Sequence, residues 1–315
     1  MEKIKLGISA CLLGENVRYD GGHKLDRFLR DTLGQYVDYV PVCPETECGL
    51  GVPRESMRLE GHPSAPRLVT NQTRRDLTEK MVAWGRRRLE QLAAENLCGF
   101  IFKSNSPSSG MERVKVYGEK GMPSKTGAGI FARMFMDRFP SLPVEDEGRL
   151  HDPDLRENFI ERIFVMQRWR AVLAPGARRG DLLDFHTRHK LLILSHSQAA
   201  YARMGKLLAD MKTVSLRTLF DQYEALLTDA LRLGTTPKKN ANVLQHMAGY
   251  FKKHLEAAER QELKEVIDQY RTGLIPLIVP VTLLRHYVRK YDQPYLKEQI
   301  YLTPHPLELR LRNHV

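Results

Sequence analysis

No run of about 18 apolar residues occurs in this 315-residue chain, so it holds no candidate for a bilayer-spanning helix. Internal repeats and low-complexity stretches are also missing, which excludes a solenoid or fibrous design. Cysteine is scarce: Cys11, Cys43, Cys48 and Cys98 are the full set of 4. Four thiols in a chain of this length do not make a disulfide scaffold. The opening Met1-Glu2-Lys3-Ile4-Lys5 leads straight into a strand-like segment and lacks the layout of a signal peptide. The cytoplasm is therefore the expected compartment, where such thiols read as metal-binding or catalytic. Acidic excess is absent too. Before residue 151 there are 23 Lys+Arg against 20 Asp+Glu; from there on, 26 against 18, within a net charge of +11. A basic second half suits a polyanion, with nucleic acid ahead of membrane because no amphipathic anchor stands out.

What is present describes an ordinary globular protein. Hydrophobic residues make up 42% and charged residues 28%, too apolar for a disordered chain. The length suits two domains of roughly 100–200 residues each. Strands are expected at 5–9, 38–42, 99–103 and 142–150, with an edge strand at 113–117. Helices are expected over 25–35, 73–96 and 128–139, the last capped by Thr126, after a loop from Gly121 to Gly127. Alternating strands and helices predict an α/β domain over residues 1–155 with a mainly parallel sheet. Met81 and Trp84 on the second helix read as core, and Cys98 as a buried small hydrophobe. Residues 156–315 carry apolar positions at helical spacing almost throughout. They predict a mostly α-helical, basic, RNA-binding domain with helices at 158–170, 182–196, 198–210, 215–233, 240–257, 259–273 and 279–290.

The stretch from Val42 to Arg54 concentrates the chemistry. Cys43, Glu45, Glu47 and Cys48 are interleaved with Pro44, Gly49, Gly51 and Pro53 just past a strand end. Cys11 likewise follows the first strand, and in an open parallel sheet ligands bind at that edge. Cys11, Cys43 and Cys48, with no fourth partner at close spacing, leave several readings open: an iron–sulfur cluster with one iron free, zinc, a redox pair, or unrelated thiols. Glu45 and Ser106 are candidates for proton handling. Arg18, Asp20, Lys103, Arg113 and Lys115 lie near the same edge and could grip a phosphate or a base. His186, His189 and His196 read as a packed or RNA-facing surface in preference to a metal site. Arg178, Arg179, Lys206, Lys212, Arg217, Lys238, Lys239, Lys252 and Lys253, with Tyr201, Tyr223 and Tyr250 interspersed, suit phosphate contacts.

Ser9-Ala10-Cys11-Leu12-Leu13-Gly14, Val17-Arg18-Tyr19-Asp20-Gly21, Cys43-Pro44-Glu45, Gly49-Leu50, Pro53-Arg54 and Lys103 with Ser106-Pro107-Ser108 occur in this order. Together they resemble the thiouracil desulfurase family over about residues 1–150. Phe185-His186-Thr187-Arg188-His189-Lys190 through Ser197 resembles the helical domain found fused to it. The resemblance implies desulfuration of thiolated uracil, with 4-thiouridine in tRNA as the expected substrate, uridine and sulfide as products, and no net redox. It implies a 4Fe–4S cluster with three cysteine ligands and one open iron. By position Cys11 and Cys43 match ligands, and Glu45 and Ser106 the acid–base and substrate-positioning residues. One departure stands out: the family pattern is Ser-Pro-Ser-Cys-Gly, whereas this loop reads Ser106-Pro107-Ser108-Ser109-Gly110. Cys48 is then the candidate third ligand, and Ser109 a substrate-side residue. The alternative is a non-catalytic RNA-binding or regulatory protein that has lost its cluster.

Overall fold

The structure, a computed structural model, describes residues 3–118 and 121–314. Strands β1 (Ile4–Ser9), β2 (Val37–Val42), β3 (Met57–His62), β4 (Ala65–Thr70), β5 (Phe100–Phe102), β6 (Val114–Tyr117), β7 (Pro123–Gly127) and β8 (Val144–Asp146) build two sheets. The first runs β2-β1-β5-β8 with every neighbouring pair parallel. Leu6 and Ile8 on β1 and all of β5 are buried, the mark of parallel strands covered on both faces. A Cβ on Gly7 would collide with the Phe100 ring, so glycine is what lets β5 lie against β1 there. The chain passes from β1 to β2 on one side and places β5 on the other. The order thus reverses between β1 and β5, and the crevice beyond their carboxyl ends is where such sheets take ligands.

The second sheet, β4-β3-β6-β7, is mixed. It corrects two expectations. β6 is flanked by β3 and β7 and is not an edge, and the segment expected as a loop from Gly121 to Gly127 pairs as β7. The β3–β4 hairpin was not anticipated, because Gly61, Pro63 and Pro66 break its alternation and few of its side chains are fully buried, Leu59 and Leu68 among them.

Helices α1 (Pro44–Glu47), α2 (Thr78–Ala94) and α3 (Ile130–Arg138) belong to the same unit. The helix expected over 25–35 is instead a wide turn, Phe28–Thr32, followed by a tight one, Leu33–Gln35. Tyr39 donates its hydroxyl to Leu29 O at 2.7 Å, and only Leu29 and Leu33 anchor the segment inside. α2 starts later than expected because Asp76 pairs with Val69 and its carboxylate accepts from Thr78 N. Met81 and Trp84 are core, as their spacing predicts. α3 begins at Ile130 and takes no cap from Thr126, which lies in β7. The carbonyls of Pro107 and Ser108 accept its first amides instead, from Ile130, Phe131 and Ala132.

A second compact unit begins at Pro153. Its helices are α4 (Pro153–Val172), α5 (Arg179–His196), α6 (Gln198–Ala209), α7 (Leu216–Arg232), α8 (Pro237–Gly249), α9 (Ala257–Arg271), α10 (Ile278–Lys290) and the short α11 (Pro294–Lys297). Ser197, Ser215 and Thr236 cap α6, α7 and α8 by accepting amides of Ala200, Thr218 and Lys239. Trp169, Phe185, Phe220 and Tyr223 form its aromatic centre. Arg312 is buried between Glu157 and Glu161, and Glu161 also meets His196. Among the described residues no helix is long and apolar enough to cross a membrane.

Candidate functional site

Three loops leave neighbouring strands of the parallel sheet at its carboxyl edge. The first follows Ser9 and turns tightly over Ala10–Leu13, with Cys11 O accepting from Lys24 N at 2.9 Å. The second follows Val42, where Cys43 precedes α1 and its amide donates to Glu47 Oε1 at 2.8 Å. The third follows Phe102 and carries Lys103 to Gly110. Together they enclose a cavity of about 410 Å³ whose wall includes Cys11, Cys43, Glu45, Ser106 and Ser109.

Glu45 organises that wall. Its Oε2 lies 3.5 Å from Cys43 Sγ and 3.9 Å from Arg54 Nη2. Its Oε1 accepts from Ser108 Oγ. Ser108 is completely buried, and its hydroxyl is 2.9 Å from Ser106 Oγ. Ser106 Oγ in turn accepts from the amides of Ser109, at 3.1 Å, and Ser108, at 3.3 Å. Burial, followed by the charge of Glu45, pushes the Cys11 thiol up to about 12, and the same two causes raise Cys43.

The predicted residues divide. Cys11, Cys43, Glu45, Ser106, Arg18, Lys103 and Ser109 share the cavity wall. Cys48 does not line it: its thiol donates to Glu45 O at 3.2 Å, and Lys80 is the cation that acts on it most strongly. Asp20 stays outside, accepting from Gly22 N and pairing with Arg18 at 3.5 Å. Arg113 and Lys115 lie exposed at and beside β6 and are not on the wall. Cys98 is buried away from the cavity.

Wall residues that sequence reasoning passed over as site candidates are Lys24, Arg54 and Tyr19, although Tyr19 and Arg54 sat inside the quoted motifs. Arg54 donates to Val17 O at 2.9 Å and so ties the loop after β2 to the loop after β1. Lys103 binds Glu147 and Ser104, and Ser9 Oγ accepts from Lys103 N at 2.9 Å.

In the second unit His186, His189 and His196 are core groups. His186 shares a 3.0 Å hydrogen bond with the Tyr223 hydroxyl, and His189 contacts Phe185 O at 2.7 Å. Tyr223 is 0% exposed, which removes it from any contact surface. Arg179 and Lys239 are turned to backbone carbonyls, of Met211 and Val214 and of Gly234 respectively. Arg178, Lys206, Lys212, Arg217, Lys238, Lys252 and Lys253 are exposed. Among the described residues no cluster of three or more His, Cys, Asp or Glu side chains is arranged as a metal site.

Comparison with known proteins gives matches in both halves. Residues 6–147 match the family model described as 2-thiouracil desulfurase, and residues 190–306 match that described as protein of unknown function (DUF1722). The uncharacterized protein YbgA of Escherichia coli (strain K12) is 36% identical over 158 residues, which make up 50% of this chain and 94% of YbgA. A solved structure described as a 4Fe-4S-dependent thiouracil desulfidase, TudS, is 29% identical, covering 48% of this chain and 95% of its own. Its TM-score of 0.39 is too low to bear on this chain's fold. The chain joins a 2-thiouracil desulfurase domain at residues 6–147 to a DUF1722 domain at residues 190–306.

Proposed function

We propose that this protein desulfurates thiolated uracil, acting on 4-thiouridine in tRNA. Water replaces the sulfur of a thiocarbonyl, giving the carbonyl and hydrogen sulfide with no change of oxidation state. One observation carries the reading: Cys11, Cys43, Glu45 and Ser106, from three strand-end loops, meet on one cavity wall inside the segment that matches 2-thiouracil desulfurase.

The thiols of Cys11 and Cys43 would hold a 4Fe–4S cluster, with the Ser109 hydroxyl as the candidate third donor. Soft thiolates suit such a cluster. A three-cysteine set would require the Cys48 thiol to leave Glu45 O and turn to the cavity, whereas Ser109 is already there. When bound, the cluster supplies a Lewis-acidic iron for a polarisable sulfur. The chain's own groups do the rest. Glu45 is placed to take a proton from water, and Ser106 to hold the base. Arg18, Lys24, Arg54 and Lys103 line the cavity as cations suited to ring oxygens or phosphate. The exposed cations of the second unit supply sequence-independent contacts to the RNA backbone.

Sulfide release from free 2-thiouracil and from 4-thiouridine-bearing tRNA, by protein isolated and iron-loaded without oxygen, tests the reading. Faster release from tRNA is expected. Ser109, where a third thiol would complete the set, favours the rival reading of an RNA-binding protein without catalysis. Tight tRNA binding with no sulfide from either substrate would establish that rival.

A further inference from the structure

Of the tyrosines interspersed among the basic groups of the second half, Tyr223 is core, but Tyr201 and Tyr250 come together with Tyr295. Tyr250, at the end of α8, stacks on Tyr295 of α11 with ring centroids 5.2 Å apart and planes 22° from parallel. Lys190 of α5 sets its ammonium 4.7 Å from the centre of the Tyr295 ring. Burial, followed by the nearby hydroxyls of Tyr250 and of Tyr201 on α6, pushes the Tyr295 phenol up. Four elements therefore supply this surface, so the grouping is a product of the fold and not of one helix's pattern.

Tyr295 is half-buried, whereas Tyr250 is 45% exposed. Single exposed aromatics are common and need no purpose. Tyr250 differs in being backed by a second ring. A flat group laid on its exposed side would therefore have little side-chain freedom left to remove. Charge narrows the choice of partner. Lys252 and Lys253 are exposed in the turn that follows Tyr250. The carboxylates flanking Tyr295 in sequence, Asp292 and Glu298, are bridged by Lys297 and Arg188. A ring face bordered by cations, with the neighbouring anions already paired, fits a nucleobase and its phosphates. Inside a duplex the faces of a base are covered by its neighbours, so the base must come from a loop, bulge or end.

We propose that Tyr250, backed by Tyr295 and bordered by Lys190, Lys252 and Lys253, is a stacking platform for an unpaired nucleotide of RNA. The inference rests on the tRNA reading and deepens it: it names the contact by which the helical unit distinguishes looped RNA from plain duplex.

The test measures dissociation constants for tRNA and for a blunt RNA duplex without loops, each at several salt concentrations. The proteins compared are wild type, Tyr250→Ala, Tyr250→Phe and Lys252→Ala/Lys253→Ala. Tyr250→Ala should bind tRNA about 5- to 150-fold more weakly, the loss that removing one base–aromatic stack brings. Its salt slope should stay as in wild type, because no phosphate contact is lost, whereas the double lysine variant should have a shallower one. Tyr250→Phe keeps the ring and should bind tRNA as wild type does. The duplex should bind wild type and Tyr250→Ala equally. Wild-type tRNA affinity in Tyr250→Ala would overturn the platform and leave the desulfuration reading standing. Equal weakening toward tRNA and duplex, or a Tyr250→Phe as weak as Tyr250→Ala, would overturn it too. No tRNA binding by wild type would sink the tRNA reading, and the platform with it.

Discussion

Ser109 and Cys48 compete for one role, that of third donor to a cluster, and their surroundings separate them. Ser109 lies on the cavity wall, whereas the Cys48 thiol is bonded to the carbonyl of Glu45. Iron bound per chain should therefore be unchanged in Cys48→Ser, raised in Ser109→Cys and abolished in Cys43→Ser. Loss of iron in Cys48→Ser, to the level of Cys43→Ser, would return the role to Cys48. Glu45 was legible in the sequence through the Cys43-Pro44-Glu45 motif that carries the family resemblance. Ser108 was not, since its partner lies 63 residues away and nothing local marks a serine that bonds across the fold. Cys48 stood as the third ligand because it shares the Cys43 loop and Ser109 fills the family's cysteine position, but α1 turns the chain between Cys43 and Cys48 and sends the two thiols to different neighbours.

At the scale of elements, the site depends on how α3 meets the loop after β5. A Cβ on Gly129 would press into the peptide joining Ser108 and Ser109, backbone that cannot rotate away. Gly129→Ala should cost about 1–3 kcal/mol, as overpacking does. It should also depress sulfide release more than Ser109→Ala does, because it displaces Ser106 and Ser108 together. A melting temperature and turnover equal to wild type would show that the loop is not held this way. The strands that bear the site were readable from short apolar runs ending in Gly- or Pro-punctuated loops. The mixed sheet was harder. In β7 only Gly127 is buried, so its side chains carry no inward–outward pattern, and its place is set by hydrogen bonds to β6. The segment after residue 25 failed in the opposite direction: its composition suits a helix, but Leu33 N is shared between the carbonyls of Leu29 and Phe28, which widens the turn, and only Leu29 and Leu33 are buried to hold a helical face.

Over the whole molecule, two differently built units meet different demands. The helical unit keeps several imidazoles neutral by burial. His186, His189 and His305 fall from an ordinary 6.5 to about 4, about 3 and about 4. Their folded values are depressed, so as pH drops below 6.5 the unfolded chain takes up protons that the folded one refuses. The stability they contribute is complete above 6.5 and is lost as pH falls toward the folded values, by up to about 1.4 kcal/mol per pH unit for each histidine. Thermal melting followed by helical signal should shift down between pH 7 and 5; a flat profile would contradict buried neutral imidazoles. The basic balance of the second half pointed toward a polyanion, but burial and local bonding decide which cations are free for one. Neutralising Lys206, Lys212, Arg217 and Lys238 should weaken tRNA binding and lower its salt slope by nearly one per lost phosphate contact, while free 2-thiouracil turns over as before. Unchanged tRNA affinity would place the RNA contacts elsewhere.

The most direct measurement is nucleoside analysis of 4-thiouridine-bearing tRNA after incubation with anaerobically iron-loaded protein, with sulfide counted in the same sample. Uridine and sulfide should appear in equal amounts with wild type, and neither with Cys11→Ser or Cys43→Ser. Intact 4-thiouridine in the presence of fully loaded wild-type protein, or equal turnover by Cys11→Ser, would contradict a desulfurating site built on those two thiols.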